Sequence, residues 1–85
     1  MPPHRRRNVT FTEIEETGEA VLFVPAEQRA VVVNATAAVV WLLCNGERDA
    51  AALAAELGAT TGSVVPIDDV QRLLDDLAAE GVLGE

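Results

Sequence analysis

The most apolar stretch of this 85-residue chain, VVVNATAAVVWLL, changes character at one residue, Asn34. The valines before it are β-branched and favour a strand. The short side chain of Asn34 can accept a hydrogen bond from the free N–H groups in the first turn of a helix. The stretch therefore predicts a strand that ends at Val33 and a helix that runs from about Ala35 to Cys44.

The segment before this helix predicts two more strands. Apolar and polar residues alternate at the start of VTFTEI (9–14), and AVLFV (20–24) is rich in β-branched and aromatic residues. Gly18 supplies a turn between them, and the polar break PAEQR (25–29) precedes AVVV (30–33). Two apolar runs separated by a short polar break indicate a hairpin, so we expect a three-stranded antiparallel meander.

Two further helices are predicted after the first. Asp49 is a suitable cap for the helix AAALAAEL, which Gly58 is expected to end. After a loop over residues 59–66, Asp68 is expected to cap a third helix that stops at Gly81. Strands followed by helices predict an α+β domain. We therefore predict a winged helix-turn-helix-like fold, with a three-stranded antiparallel sheet followed by three helices.

The length allows one domain with a single hydrophobic core. Residues 1–8 carry three arginines and are expected to form a flexible basic tail, so the domain itself is predicted over residues 9–85. No apolar segment follows the basic residues as it would in a secretory signal. The apolar run is shorter than the roughly 20 residues that cross a bilayer, and one cysteine cannot form an internal disulfide. These features predict a cytoplasmic protein with no membrane partner.

The chain is acidic, with a formal net charge of −8. From Val9 onward three arginines face 14 acids, a balance of −11 (3 − 14). The third predicted helix holds one arginine and one glutamine against five acids. A phosphate backbone would be repelled by such a surface, so winged-helix DNA binding is the least favoured function and no nucleic-acid partner is expected.

The residue types that enzymes use are scarce. The chain has one histidine, one serine and one cysteine, which are His4, Ser63 and Cys44. Because His4 lies in the expected tail, a Ser–His or Cys–His catalytic arrangement is not favoured. We interpret Cys44 as a small buried hydrophobic residue, and no cluster has zinc-ligand spacing. The sequence predicts a protein that is not an enzyme and holds no cofactor or metal.

Three motifs in order carry a family resemblance. They are NATA after a short apolar strand, a glycine followed by a charged pair at the end of the first helix, and the terminal pattern DVxxLLxxLxxxG. The terminal pattern comprises Asp69, Val70, Leu73, Leu74, Leu77 and Gly81. Together the motifs resemble the PqqD family, whose members recognise precursors in pathways of ribosomally synthesised and post-translationally modified peptides. The resemblance covers roughly Val9 to Leu83.

The resemblance implies a winged-helix-like peptide chaperone that makes no covalent change. The leader of a precursor peptide would add as an extra strand beside the third strand and lie against helix 3. The domain would then deliver the precursor to a separate modifying enzyme, in many such pathways a radical S-adenosylmethionine enzyme. The residues expected to bind the peptide are Ala30, Val31, Val32, Val33, Asp69, Arg72, Leu73, Asp76 and Leu77.

The chemistry of these residues leaves alternatives open. The strand AVVV is apolar on both faces and lacks the charge, proline or bulge that normally protects an edge strand. An incoming peptide explains such an edge, and so does a covering tail or second copy. Leu73 lies beside acids at the rim of the third helix, where a cleft floor and a wider core stripe explain it equally well. Arg72 is better explained by pairs with neighbouring acids than by an acidic leader residue.

Two other functions remain as alternatives. An acidic carrier protein would need a serine at a helix start, whereas Ser63 lies just before a proline-containing break. A homodimer that pairs its edge strands would have a purely structural role. The expected oligomeric state is a monomer or a weak homodimer.

Overall fold

The computed structural model describes residues 3–84. Its elements in chain order are β1 (Thr10–Glu13), β2 (Ala20–Val24), a short 3₁₀ turn (Pro25–Glu27), β3 (Arg29–Val33), α1 (Ala35–Leu43), α2 (Ala50–Thr61) and α3 (Ile67–Ala79). The predicted α+β fold, with a three-stranded antiparallel sheet followed by three helices, is confirmed. The likeness to a winged helix-turn-helix stays a prediction.

The sheet has the order β1-β2-β3, and both pairings are antiparallel. In β2, Ala20, Leu22 and Val24 face the helices and are buried. Their partners on β3 are Val33, Val31 and Arg29, which share that inner face. One face of the sheet therefore forms the floor of the core, and the helices cover it.

Two predicted caps position the first two helices. The side chain of Asn34 accepts a hydrogen bond from the N–H of Ala37 at 2.8 Å. The side chain of Asp49 accepts one from the N–H of Ala52 at 2.9 Å. Each cap satisfies an N–H group that has no partner within its helix, so α1 and α2 begin where the sequence predicts.

The predicted end of the second helix was wrong. α2 continues through Gly58 to Thr61, and Gly62 ends it with a left-handed φ of 73°. The chain then folds back so closely that a Cβ at residue 58 would lie 2.8 Å from the carbonyl oxygen of Ser63. Gly58 is therefore needed for the close approach of this loop and not for a helix stop.

The predicted cap of the third helix was also wrong. Pro66 occupies the N-cap position of α3, and no side chain caps that end. Its carbonyl accepts hydrogen bonds from the N–H groups of Asp69 and Val70, at 3.1 and 3.3 Å. Proline pre-sets a backbone angle that suits a helix start, so Asp68 is left in the first turn, where its charge suits the helix dipole.

Trp41 of α1 joins the helices to the sheet and to the C-terminal segment. Its side chain is 4% exposed. Its ring stacks on Phe11 of β1, with ring centroids 5.8 Å apart and an angle of 5° between the planes. The indole N–H donates to the carbonyl oxygen of Val82 at 2.9 Å. One residue thus holds three parts of the fold together.

The single cysteine lies in the core, as predicted. Cys44 follows α1 and is fully buried, and its thiol donates to the carbonyl oxygen of Val40 at 3.1 Å. Burial raises the pKa of Cys44 to about 11, against a smaller opposing effect of the charge on Arg5. The thiolate needed for nucleophilic or redox chemistry is therefore disfavoured.

Residues 3–6, part of the predicted flexible tail, are hydrogen-bonded to the domain. The N–H of Arg5 donates to the carbonyl of Cys44, and the N–H of Arg6 donates to the carbonyl of Val82, both at 3.1 Å. The carbonyl of His4 accepts from the N–H of Gly84 at 2.8 Å. This segment runs between the end of α1 and the C-terminal residues and bonds to both. The mobility of the predicted tail and the boundary at residue 9 stay predictions.

Candidate functional site

β3 lies at one edge of the sheet and is bonded to β2 on one side only. Within residues 3–84, the bridges outside the named strands join His4 to Asn45 and Arg5 to Leu83, and none involves β3. The outer edge of β3 is therefore unpaired in the described part of the chain. β1 forms the opposite edge, but its residues, TFTE, are more polar.

The hydrogen-bond pattern identifies which residues of β3 point to this open edge. The N–H of Ile14 donates to the carbonyl of Glu19 at 2.7 Å, so the bonding groups of Glu19 point toward β1. Bonding direction alternates along an antiparallel strand, so the even-numbered residues of β2 bond to β3. Their partners are Arg29, Val31 and Val33. The N–H and C=O groups of Ala30 and Val32 are consequently left facing the open edge.

The side chains of β3 alternate between the core and solvent. Val31 and Val33 are buried against the helices, whereas Ala30 and Val32 are on the outer face. Val32 is 62% exposed, and the nearby Phe23 of β2 is 41% exposed on the same face. The open edge therefore combines free backbone groups with apolar side chains.

One flank of α3, extended by its C-cap residue, carries four residues at the spacing i, i+4, i+7 and i+11, which places them in a row along one side of the helix. We call this row the acidic flank, and it consists of Asp69, Leu73, Asp76 and Glu80. Leu73 is half-buried and packs against the core, while Asp69 and Asp76 are exposed.

Arg29, the first residue of β3, shows which way the acidic flank faces. Its guanidinium donates to the side chain of Glu80 at 3.2 Å and also to the backbone carbonyl of Glu80. It lies 3.3 Å from a carboxylate oxygen of Glu27, which in turn pairs with Arg6 at 2.7 Å. These charges tie the start of β3 to the end of α3. The acidic flank therefore lies on the β3 side of the helix.

The pairing of Glu27 gives a pH-dependent contribution to stability. The hydrogen bond from Arg6, and then the charges of Arg6 and Arg29, hold the pKa of Glu27 below its ordinary 4.5 against an opposing effect of burial. A carboxyl with a lowered pKa stabilises the fold above its unfolded-state pKa, and that stability is lost as the pH falls through the folded-state value.

We expect Glu27→Gln to lower the free energy of unfolding slightly at pH 7, because the carboxylate is exposed and solvent screens its pairs. The difference from the wild type should shrink as the pH falls below 4.5. Urea unfolding at a series of pH values measures this. The control is Glu56→Gln on α2, whose carboxylate has no ion pair within residues 3–84. A difference that grows toward acid pH would contradict this assignment.

The remaining expected site residues lie elsewhere on α3. Leu77 is buried on the core face of the helix. Arg72 is exposed on the solvent-facing side of the helix. The surface ion pairs expected for it do not form, because no acid within residues 3–84 lies within 4.0 Å of its guanidinium. The structure thus brings Ala30 and Val32 to the open edge, and Asp69, Leu73 and Asp76 to the facing flank.

The flank of α3 that faces away from β3 borders a different, shallow hollow of about 680 Å³. Gln71, Asp75 and Ala78 line it from the helix, and His4 and Leu83 line it from the N- and C-terminal segments. This hollow has neither a free strand edge nor a grouping of three or more potential metal ligands among the residues described. The open edge of β3 and the acidic flank, which Arg29 joins at one end, are therefore the stronger candidate site, and we call the space between them the groove.

A comparison with protein-family models gives one match, over residues 19–83. The model is described as coenzyme PQQ synthesis protein D (PqqD), and the match spans more than half of the chain. The chain belongs to the PqqD family. Comparisons with curated proteins and with solved structures gave no significant match. The region shared with PqqD includes β2, β3 and all three helices, so it contains both sides of the groove.

In this PqqD-family domain, sequence analysis did not select Arg29 or Glu80 as site residues. Arg29 stands alone before the apolar run and gives no periodic signal. Glu80 could have been found, because it continues the spacing of Asp69, Leu73 and Asp76.

As for membranes, no helix of the described residues is both long enough and apolar enough to span one.

Proposed function

We propose that this protein recognises the leader segment of a ribosomally made precursor peptide by adding it as a fourth strand beside β3. The observation that carries the proposal is the open edge of β3, where Ala30 and Val32 offer unpaired backbone groups. Strand addition gives affinity through main-chain hydrogen bonds and specificity through alternate side chains.

An unprotected apolar edge is normally a liability. Proteins protect such edges with charge, proline or a bulge because unpaired strands aggregate. β3 has none of these between Ala30 and Val33, and Val32 exposes a large apolar side chain. A strand that must stay open for a partner explains why this aggregation-prone edge is unprotected. Membership of the PqqD family supports a peptide as that partner.

We further propose that the domain is non-catalytic and presents the bound precursor to a separate modifying enzyme in the cytoplasm. Burial suppresses ionisation of the Cys44 thiol, which makes it a poor nucleophile. The family description refers to the synthesis of a coenzyme, which supports a role in a biosynthetic pathway. A radical S-adenosylmethionine enzyme is the modifying enzyme that the resemblance implies.

The test begins with tagged protein purified from its own host. Short peptides that co-elute are identified by mass spectrometry, and the leader of the best candidate is titrated by calorimetry. We expect one-to-one binding by the wild type, and weaker binding by folded Val32→Asp and Leu73→Asp variants. The matched control is Thr12→Asp, which adds the same charge at the opposite edge of the sheet, on β1. The proposal would be overturned if all three variants lost affinity for the leader equally, or if no leader bound to the wild type.

Light scattering at several concentrations separates peptide binding from self-pairing of β3. A second copy on the open edge would give a dimer without peptide, which an added leader would dissociate. We expect the protein to be monomeric at the concentrations used for calorimetry, since two chains of net charge −8 repel each other.

A further inference from the structure

We propose that the peptide taken by this groove carries a basic, an apolar and a basic residue at alternate positions. The pattern is Lys/Arg-x-apolar-x-Lys/Arg. This inference rests on the proposed function and names the chemistry of the segment that the groove selects. It follows from the order of side chains along the acidic flank, which is acid, leucine, acid over Asp69, Leu73 and Asp76.

The spacing of the flank matches that of a strand. Asp69 and Asp76 are seven positions apart, which is about 10 Å along the axis of a helix. Residues at i and i+4 of a strand point to the same face and lie about 13 Å apart. Lysine and arginine side chains are long enough to cover the difference. The residue at i+2 then lies opposite Leu73, which separates the two acids on the helix.

The chain's own cations do not neutralise these acids. Arg6 and Arg29 are paired with Glu27 and Glu80, at the end of the flank beside the start of β3. Within residues 3–84, no ion pair reaches Asp69 or Asp76.

The other arginines do not change this picture. Arg5 lies over the ring of Trp41, Arg48 donates to the carbonyl of Leu43, and Arg7 forms no ion pair within residues 3–84. Arg72, on α3 itself, pairs with neither acid, and the sequence contains no lysine. An incoming peptide that brings its own cations therefore complements a charge that the described fold leaves open.

The apolar centre of the pattern has a separate basis. Leu73 is only half-buried although it packs against the core, so part of its surface stays available at the groove. An apolar side chain of the peptide would cover that surface and gain the hydrophobic free energy of doing so. Because the pattern reads the same in both directions, it does not depend on whether the peptide runs parallel or antiparallel to β3.

Three synthetic peptides test the inference on the protein alone. They share the sequence Thr-Val-Thr-X-Thr-Leu-Thr-X-Thr-Val with blocked ends, and X is Lys, Gln or Glu. Calorimetry at low salt measures each affinity. We expect the wild type to bind the Lys peptide about tenfold or more tightly than the Glu peptide, with the Gln peptide between them.

The chain offers a matched pair of double variants. Asp69→Lys/Asp76→Lys reverses two charges on the acidic flank. Asp68→Lys/Asp75→Lys reverses their sequence neighbours, which lie about 100° around the helix on the side away from β3. Both variants change the net charge equally, and each has one change in the first turn of α3. We expect the first to prefer the Glu peptide and the second to keep the preference for Lys.

Circular dichroism confirms that both variants are folded before the titrations. Equal affinity of the wild type for the Lys and Glu peptides would overturn the inference. So would an equal change of preference in both variants, which would trace the effect to net charge alone. If the Lys peptide fails to bind, the inference also fails, whereas strand addition is judged separately by the leader isolated from the host.

Discussion

Val32→Pro will leave the protein folded and weaken its binding to the isolated leader by about fivefold or more. The N–H of Val32 points to the open edge of β3, away from β2, so proline removes no bond of the existing sheet. Proline is tolerated in edge strands when the missing N–H would have faced solvent. The peptide strand would find one backbone donor missing on β3, so one carbonyl of the peptide would be left without a hydrogen-bond partner.

The size of this effect comes from the unpaired carbonyl. Leaving a buried acceptor without a hydrogen bond costs about 1–3 kcal/mol, and about 1.4 kcal/mol corresponds to a tenfold change in affinity. The proline ring also occupies space at the edge where the leader would approach. Calorimetry with the leader measures the affinity, and thermal unfolding followed by circular dichroism measures the stability.

Two control variants make the result specific. Val32→Ala keeps the N–H and shortens only the outer-face side chain, so it should bind more tightly than the proline variant. Val31→Pro removes a donor that bonds to β2, so it should be far less stable than Val32→Pro. If both proline variants unfold alike, the assignment of the edge-facing groups is wrong. If Val32→Pro binds as the wild type does, peptide addition at β3 is wrong.

Trp41→Ala is expected to lower the free energy of unfolding by about 3–5 kcal/mol, a large share of the stability of a domain this small. The substitution removes a side chain that is 4% exposed, together with its stacking on Phe11. It also leaves the carbonyl of Val82 without the indole N–H that donates to it at 2.9 Å. The loss thus combines a cavity with an unpaired acceptor.

Urea unfolding followed by far-ultraviolet circular dichroism measures this change, since the variant lacks the only tryptophan. Trp41→Phe should lose less, because it keeps most of the apolar volume and the aromatic contact with Phe11 while giving up the hydrogen bond to Val82. Because both variants lose the hydrogen bond, the difference in stability between them measures the packing of the side chain. A loss below about 1 kcal/mol for Trp41→Ala would show that α1 is not anchored through this residue.

The elements that sequence analysis predicted well have strong local signals. Asn34 and Asp49 cap helices because their side chains bond within a few residues, which requires no knowledge of the rest of the fold. The β-branched valines of β3 and the helical spacing of α3 are also local signals. These patterns, with the order of strands and helices, were sufficient for the fold class and for the strand at the edge of the site.

The errors and omissions depend on contacts between distant segments. A glycine after an apolar helical run, such as Gly58, is typical of a helix end. Only the return of the loop at Ser63 shows why a glycine is needed inside this helix. The direction in which the acidic flank faces depends on Arg29 meeting Glu80, residues 51 positions apart. Neither contact has a periodic or spacing signal, so neither could be predicted from the sequence alone.

The antiparallel contact between residues 4–5 and 83–84 has a practical consequence for measurements on this protein. The N–H of Gly84 and the carbonyl of His4 are bonded, so a linker attached near either residue leaves from the same corner of the molecule. That corner borders the hollow on the flank of α3 that faces away from β3. A sensor surface, fluorophore or fused protein attached near either residue would therefore hold the domain by the same corner, so the two attachment points are equivalent.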